Sequence, residues 1–546
     1  MSRFKKALES ARAHSVVENF MGGESYQISP LENLKMVTAS SIFGEPSYYR
    51  KGGLDRQGTD ARYRSCSLLQ EHLWFAEEWD GKTTTQIMEE AMDKALDADF
   101  EGTLQWAVTL RRDFFMRLNP QVIMVRAAIH PRRKEFTGSH PGVYEQIQTQ
   151  VMARGDDALS QLAYYLYHNQ GKQKMPSLLK RSLARRLGRL DAYETSKYKY
   201  AEMGLRDAVR ITHAHSAVID QYMQTGRLEL PPRKETWENL RSAGMTWEEI
   251  FHRIPMGHMA LVRNLRGVFA KVEQAEFCEE YLERLKGGVA GGRQFPFRYY
   301  SAYRAVEKSA CCHKPRILDA LEECVDLSMA NLPRFQGKTM CLSDNSGSAW
   351  GAIPSEYGTV CVAEIDNLSS VIAAAVSEEG YVGKFGDTLK VYPISKRGQI
   401  LRQAREISQG MSQDVGGSTE GGIWEFFDNA IRKKEHWDQI FIYSDQQAGH
   451  GGLFGTSIQR EKYQALGYGC RQGQRGEGQY INVYDLILAY RKKVNPRVNV
   501  FSIQTAGYNN VCVPEYAYRT CILYGWTGKE IMFARQMIDL WDNFTG

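Results

Sequence analysis

Asp344-Asn345-Ser346-Gly347-Ser348 sets one carboxylate and two hydroxyls at alternate positions of a five-residue stretch. Three hard oxygens on one tight loop suit a hard octahedral cation such as Mg²⁺, which keeps several of its waters. Two later segments can add donors. Gly416-Gly417-Ser418-Thr419-Glu420 brings further hydroxyls just before a helical pattern opens near Gly422. The apolar run Ile440-Phe441-Ile442-Tyr443 ends in Ser444-Asp445, which supplies a second carboxylate. A D-x-S-x-S stretch alone is a weak signal, because serines after strands usually cap helices. All three segments in this order make a divalent-metal site the expected chemistry, with Mg²⁺ first and Mn²⁺ as the alternative that sequence does not separate from it.

Side chains so spaced need a sheet whose strand ends line a crevice. The pattern after Pro333 predicts strands over 338–343, 388–394, 439–443 and 498–504. It predicts helices over 368–376, 399–409, 422–434, 483–491 and 529–544. Alternating strands and helices imply an α/β doubly wound, mostly parallel sheet covered on both faces. The stretch 467–479, rich in Gly, Gln and Arg, reads as a flexible loop, and the glycine-rich stretch 449–455 as a loop able to close over the metal. Upstream, apolar residues recur at helical spacing, as in Leu159, Leu162, Ala163 and Leu166, then Leu179, Leu183, Leu187 and Leu190. Turn signals separate these helices at intervals that suit paired helices in an array, an all-α solenoid of HEAT-like repeats. The expected division is 1–333 for the helical domain and 334–546 for the α/β domain.

The chain is 43% apolar and 24% charged, the balance of a folded globular protein. No run of 18 apolar residues and no apolar leader core occurs, and the ten cysteines include no C-x-x-C pair. The reading is a soluble, cytoplasmic protein with no membrane span and no zinc site. The net charge of +5 is modest, but its distribution is uneven. Between Gly171 and Tyr200 stand Lys172, Lys174, Lys180, Arg181, Arg185, Arg186, Arg189, Lys197 and Lys199 against only Asp191 and Glu194. Tyrosines at 164, 165, 167, 193, 198 and 200 interleave with them, and a second basic group runs from Arg111 to Lys134. Cations with interleaved aromatic rings point to nucleic acid.

A helical-repeat half followed by a metal-carrying α/β half resembles the TROVE-domain proteins, the family of the Ro RNA-binding autoantigen and its bacterial relatives. In the α/β half, Asp344, Ser346, Ser348, Thr419 and Asp445 resemble the metal-ion-dependent adhesion site of von Willebrand factor A domains, with Thr419 rather than Ser418 at the matching position. In the helical half, Lys197-Tyr198-Lys199 and then Leu205-Arg206-Asp207-Ala208-Val209-Arg210-Ile211-Thr212-His213 resemble one family segment. Ile254-Pro255-Met256 followed by Leu261-Val262-Arg263-Asn264-Leu265 resembles another. The likeness spans roughly 15–540, and the spacing around Lys199 and Arg206 departs from the animal-type pattern.

The resemblance implies a HEAT-repeat ring closed by the von Willebrand A-like domain. It implies that small noncoding Y RNA binds the outer basic surface and that single-stranded 3′ ends of misfolded noncoding RNA enter the central cavity. A role in RNA quality control and stress response follows, with a 3′ exoribonuclease such as polynucleotide phosphorylase as partner and a monomeric protein in the ribonucleoprotein. The candidate RNA-binding residues are Lys172, Lys174, Arg185, Lys197, Lys199, Arg206, Arg210, His213, Arg263 and Asn264. Each has a plainer reading. Arg263 and Asn264 can cap or brace repeats, and His213 can be a packed, hydrogen-bonded residue. The rival reading of the whole is a protein–protein scaffold in which a partner's acidic residue completes the metal shell. The absence of G-x-x-x-x-G-K-[ST], H-E-x-x-H and G-x-S-x-G leaves no support for an NTPase, a zinc protease or a serine hydrolase, and the expectation is a non-enzyme. Gly287–Gly292 reads as a loop.

Overall fold

The computed structural model of the protein describes residues 16–18, 24–40, 84–169, 174–198, 203–226, 228, 236–351, 360–396, 398–417, 420–446, 471–472, 479–480, 482–505, 510–524 and 528–543. They fall into two compact units. One takes the described residues between Ser29 and Thr246, and the other takes those before Ser29 and from Trp247 onward.

The first unit is helical. In the helix Phe100–Arg112 the Asp99 carboxylate caps the first turn by accepting from the Gly102 N–H at 2.8 Å. Its apolar stripe, Phe100, Leu104, Ala107 and Leu110, is buried at the spacing of one helix face. That helix packs on Asn119–Ile129 and on Val143–Val151, and Asn119–Ile129 packs in turn on Gly155–Asn169. Contacts to the next helix and to the third one along are what stacked helical hairpins make. The pattern recurs in the second unit, where His258–Phe269 meets Ala275–Gly287 and Pro296–Glu307, and Lys314–Ser328 packs on both of the latter two.

The α/β part of the second unit is a seven-stranded sheet. Its strands are β1 (Phe335–Asp344), β2 (Ser377–Phe385), β3 (Leu389–Pro393), β4 (Gln439–Ser444), β5 (Asn499–Gln504), β6 (Tyr516–Ala517) and β7 (Thr520–Tyr524). In space they run β6-β7-β5-β4-β1-β2-β3, parallel from β7 to β2 and antiparallel at both edges. The chain starts in the middle, steps from β1 to β2 on one side, and later returns to β4 on the other side of β1. Right-handed crossovers running in opposite directions put helices on opposite faces and open a crevice at the carboxyl ends of β1 and β4. Every residue of β4 and of β5 is buried, as a covered parallel sheet requires. The helix Ile400–Ser408 joins this sheet to the helical repeats, because Asp326 on Lys314–Ser328 accepts from the Gln399 and Ile400 N–H groups at 2.7 and 3.0 Å.

The helical region and the α/β region stand as expected, with four differences. First, β2 was not foreseen. Its Ser-Glu-Glu-Gly-Tyr-Val-Gly-Lys-Phe carries two glycines and three charges, yet Gly380 is required where a Cβ would come within 2.0 Å of the Ala374 carbonyl. Second, β6 and β7 complete the sheet beyond β5. Third, the N-terminal segment is not wholly helical: Val16–Glu18 and Glu24–Gln27 form a hairpin that adds Asn510–Val511 as a third strand. Fourth, Gly287–Gly292 is not an open loop: Gly287 ends one helix, Gly288 is the turn and Val289–Gly292 is a short helix, with Gly288 and Gly292 leaving room for the His258 ring. Within 467–479, Arg471–Gln472 pairs with Gln479–Tyr480, and the rest, like 449–455, lies outside the described residues. Among the described residues no helix is long and apolar enough to cross a membrane.

Candidate functional site

The ends of β1 and β4 bring Asp344, Ser346, Ser348 and Asp445 together. The two strands are in register, Ser343 opposite Tyr443, so the residues that follow emerge side by side. The turn closes on itself, with the Ser346 N–H donating to Asp344 Oδ1 at 2.9 Å and Ser444 Oγ donating to Asp344 Oδ2 at 2.5 Å. Ser346 Oγ lies 3.0 Å from Ser348 Oγ, and Ser348 Oγ donates to Asp445 Oδ2 at 2.6 Å. Asp344, Ser346 and Asp445 are fully buried. The third loop is tied to the first, since the Gly347 N–H donates to the Gly417 carbonyl at 2.9 Å and the Gly417 N–H to Asp387 Oδ2 at 3.1 Å. Gly386 and Gly416 permit this approach, because a Cβ on Gly386 would fall 2.3 Å from the Gly416 oxygen. Ser418 and Thr419 follow directly and lie outside the described residues.

Two carboxylates and two hydroxyls in contact make a donor set of hard oxygens. Burial, and then the Asp445 carboxylate, push Asp344 up to about 7, while hydrogen bonds from Ser444 and Ser346 pull it down. A divalent cation among these oxygens would offset that repulsion, so the residues present fit the expected metal. Among the described residues no three His, Cys, Asp or Glu side chains group closely enough to hold an ion by themselves, which sets this site apart from carboxylate-rich cages.

Sequence reasoning missed the helix face behind the turn. The helix Val362–Ala375 begins six residues before the predicted 368, and the difference contains Asp366 and Asn367. Asn367 accepts from Ser343 Oγ at 2.7 Å and from Asn345 Nδ2 at 2.8 Å, and its amide donates to Asn345 Oδ1 and Ser408 Oγ. It braces the Asp344–Ser348 turn from the helix side. Asp366, fully buried, is pushed well above the carboxylate range by burial and by Asp344 and Asp445. The available signal was an Asp-Asn pair and two serines inside a helix that is otherwise apolar beyond Glu364 in its first turn.

The basic residues separate into two sets. Most of the upstream group is structural. Arg111 is buried and paired with Asp157 at 2.7 Å, and Arg126 binds Asp93 at 2.7 Å and Tyr164 Oη at 2.9 Å. Arg117 pairs with Asp156, and Arg132 and Arg133 donate to the carbonyls of Asp97 and Ala128. The downstream group faces water. In Ser177–Leu187 the leucines at 179, 183 and 187 turn inward, which leaves Arg181 and Arg185, with Arg189 just beyond, exposed. No ion pair holds these three among the described residues. Lys174 and Lys197 are exposed, Lys197 lying over the Tyr198 ring at 5.8 Å, whereas Arg186 pairs with Glu194 at 3.2 Å. Lys172 and Lys199 lie outside the described residues. Arg206 and Arg210 are exposed, the first against Tyr222 at 5.5 Å and the second 3.5 Å from Asp207. His213 caps its helix at φ 59° with its ring exposed. Of the interleaved tyrosines, Tyr164 and Tyr165 are core residues and Tyr167 is exposed. In the second unit Arg263 is exposed, and Asn264 donates to the Ala260 carbonyl at 2.9 Å, a bond within its own helix.

Among solved structures the chain is similar to the Deinococcus radiodurans Ro (RSR) protein, at a TM-score of 0.54 and 14% identity over 82% of this chain and 93% of that one. It has the fold of a bacterial Ro protein. At this identity the likeness concerns the Ro fold alone, and it extends over the helical repeats as well as the sheet. No family model matches the chain, and no curated protein sequence does.

Proposed function

We propose that the protein is a non-enzymatic, Ro-type RNA-binding protein whose helical repeats form a ring closed by a von Willebrand A-like domain. Y RNA binds the outer basic surface, single-stranded 3′ ends of misfolded noncoding RNA enter the central cavity, and a 3′ exoribonuclease degrades what is captured. The observation that carries RNA binding is the outward row of Arg181, Arg185 and Arg189 without ion pairs among the described residues, in a chain with the Ro fold. Like charges at this spacing repel, and a phosphate backbone is the partner that turns this repulsion into binding. Exposed Lys174, Lys197, Arg206, Arg210 and His213 extend the surface. Lys172, Lys199, Arg263 and Asn264 remain assigned to RNA by the family likeness.

Asp344, Ser346, Ser348, Asp445 and Thr419 hold Mg²⁺ in this reading. When bound, the cation supplies a Lewis-acidic position that an anionic oxygen can complete. The convergence of four oxygen-bearing side chains at the sheet's carboxyl edge also favours a second reading, a scaffold that docks a partner's carboxylate there. The deciding experiment is a gel-shift titration over salt with a structured small RNA bearing a single-stranded 3′ tail. Salt-dependent binding that weakens in Lys197→Ala/Lys199→Ala/Arg206→Ala and persists in Asp344→Ala supports the RNA reading. No specific binding at moderate salt refutes it and favours the scaffold.

A further inference from the structure

Among the described residues, Asp366 is a fully buried carboxylate on the helix behind the cradle whose presence no bond of the turn or the helix explains. Neither of its carboxyl oxygens has a hydrogen-bond partner, although the side chain is fully buried. Thr505, buried just past β5, is placed beside the turn by its N–H, which donates to the Ser444 carbonyl at 3.2 Å, and its Oγ1 has no partner either. The charges acting on Asp366 are the carboxylates of Asp344 and Asp445, both of its own sign. A buried carboxylate in this state is costly, and an apolar side chain at this position would be buried without that cost. The position is not slack, because Asn367, one residue on, is locked by four hydrogen bonds to Ser343, Asn345 and Ser408. Nor does Asp366 join Asp344 and Asp445 in a set close enough to share an ion directly. A carboxylate outside direct ligation can still act on a cation through a water, the usual bridge between groups that do not touch in such sites.

We propose that Asp366 is a positioning residue of the cation site, accepting a hydrogen from a water of the cation's shell while the Thr505 hydroxyl holds the same water from the sheet side. The proposal rests on the cation reading of Asp344 to Ser348 and is independent of RNA binding. It backs Asp344, Ser346, Ser348 and Asp445 with a third carboxylate, fixed by a helix that the turn itself does not contain.

The test uses the full chain with Mn²⁺ as the probe, bound Mn²⁺ being counted by electron paramagnetic resonance and its waters followed by solvent-proton relaxation. Asp366→Asn should bind Mn²⁺ about 10- to 100-fold more weakly, the usual loss for an outer-shell partner, and change the relaxation per bound ion. Thr505→Val should move both readouts in the same direction by less. Melting in EDTA shows whether each variant is folded, and if Asp366→Asn is not, Thr505→Val decides. Wild-type affinity and relaxation in the folded variant would overturn the proposal. If the wild type itself binds Mn²⁺ no better than Asp344→Ala, the cation reading falls and takes this proposal with it, leaving RNA binding to its own salt titration.

Discussion

Replacing Arg181, Arg185 and Arg189 together by alanine separates phosphate binding from folding. All three side chains are exposed and none has an ion pair among the described residues, so no partner is left stranded. Relief of the Arg181–Arg185 repulsion gains about 0.2–0.5 kcal/mol, and loss of Arg185 from the last helical turn costs about 0.3–1 kcal/mol against the helix dipole. The two nearly cancel, and the melting temperature should hardly move. RNA binding should change markedly. Each phosphate contact adds roughly 0.7–0.9 to the slope of log affinity against log salt, so three contacts account for roughly 2–3. Between about 50 and 200 mM salt the wild type should therefore lose roughly 20- to 40-fold more affinity than the variant. A filter-binding titration with the tailed RNA reads this directly. Coincident salt lines for the two proteins would refute the assignment of this helix to phosphate, whatever the affinity.

Arg126→Met should do the reverse: the network with Asp93, Glu89 and Tyr164 is broken, melting shows a loss of about 1–3 kcal/mol, and the salt slope for RNA stays as it was. Asp157 gives a pH signature. Burial lifts it to about 6, above the unfolded carboxylate, so its folded form holds a proton that the unfolded chain releases. Stability relative to Asp157→Asn should be greatest near pH 4 and decline as pH rises through 6; a flat difference in a thermal-melt series would contradict the assignment. Adding Mg²⁺ at about 100 times its dissociation constant should stabilise the wild type by about 2.7 kcal/mol in denaturant titrations, and Asp344→Asn should lose that gain. Gly380→Ala should yield little folded protein, because its Cβ would fall 2.0 Å from the Ala374 oxygen; native-like yield and melting would show that the turn relaxes instead.

Local pattern was enough to read the helical half, the strands β1, β4 and β5, and the turn from Asp344 to Ser348, because each depends on neighbours in the chain. Apolar periodicity selects a helix or a strand, and alternate oxygens on one turn are neighbours before anything folds. Asp445, a hundred residues away, was also predictable, since a carboxylate ending a buried parallel strand has only the sheet's carboxyl edge to occupy.

What the chain order does not encode is which residues become neighbours across the sheet. Strand β2 is a strand because β1 and β3 pair with it and Gly380 lets a helix pass close by, not because its residues favour extension. The arginines at 111, 126, 181 and 185 look alike in sequence; only packing buries the first two against Asp157 and Asp93 and leaves the second two to water. Asp366 reads as an ordinary polar residue before a helix. Tertiary structure alone seals it beside two other carboxylates, because charge and desolvation act through space and not along the chain.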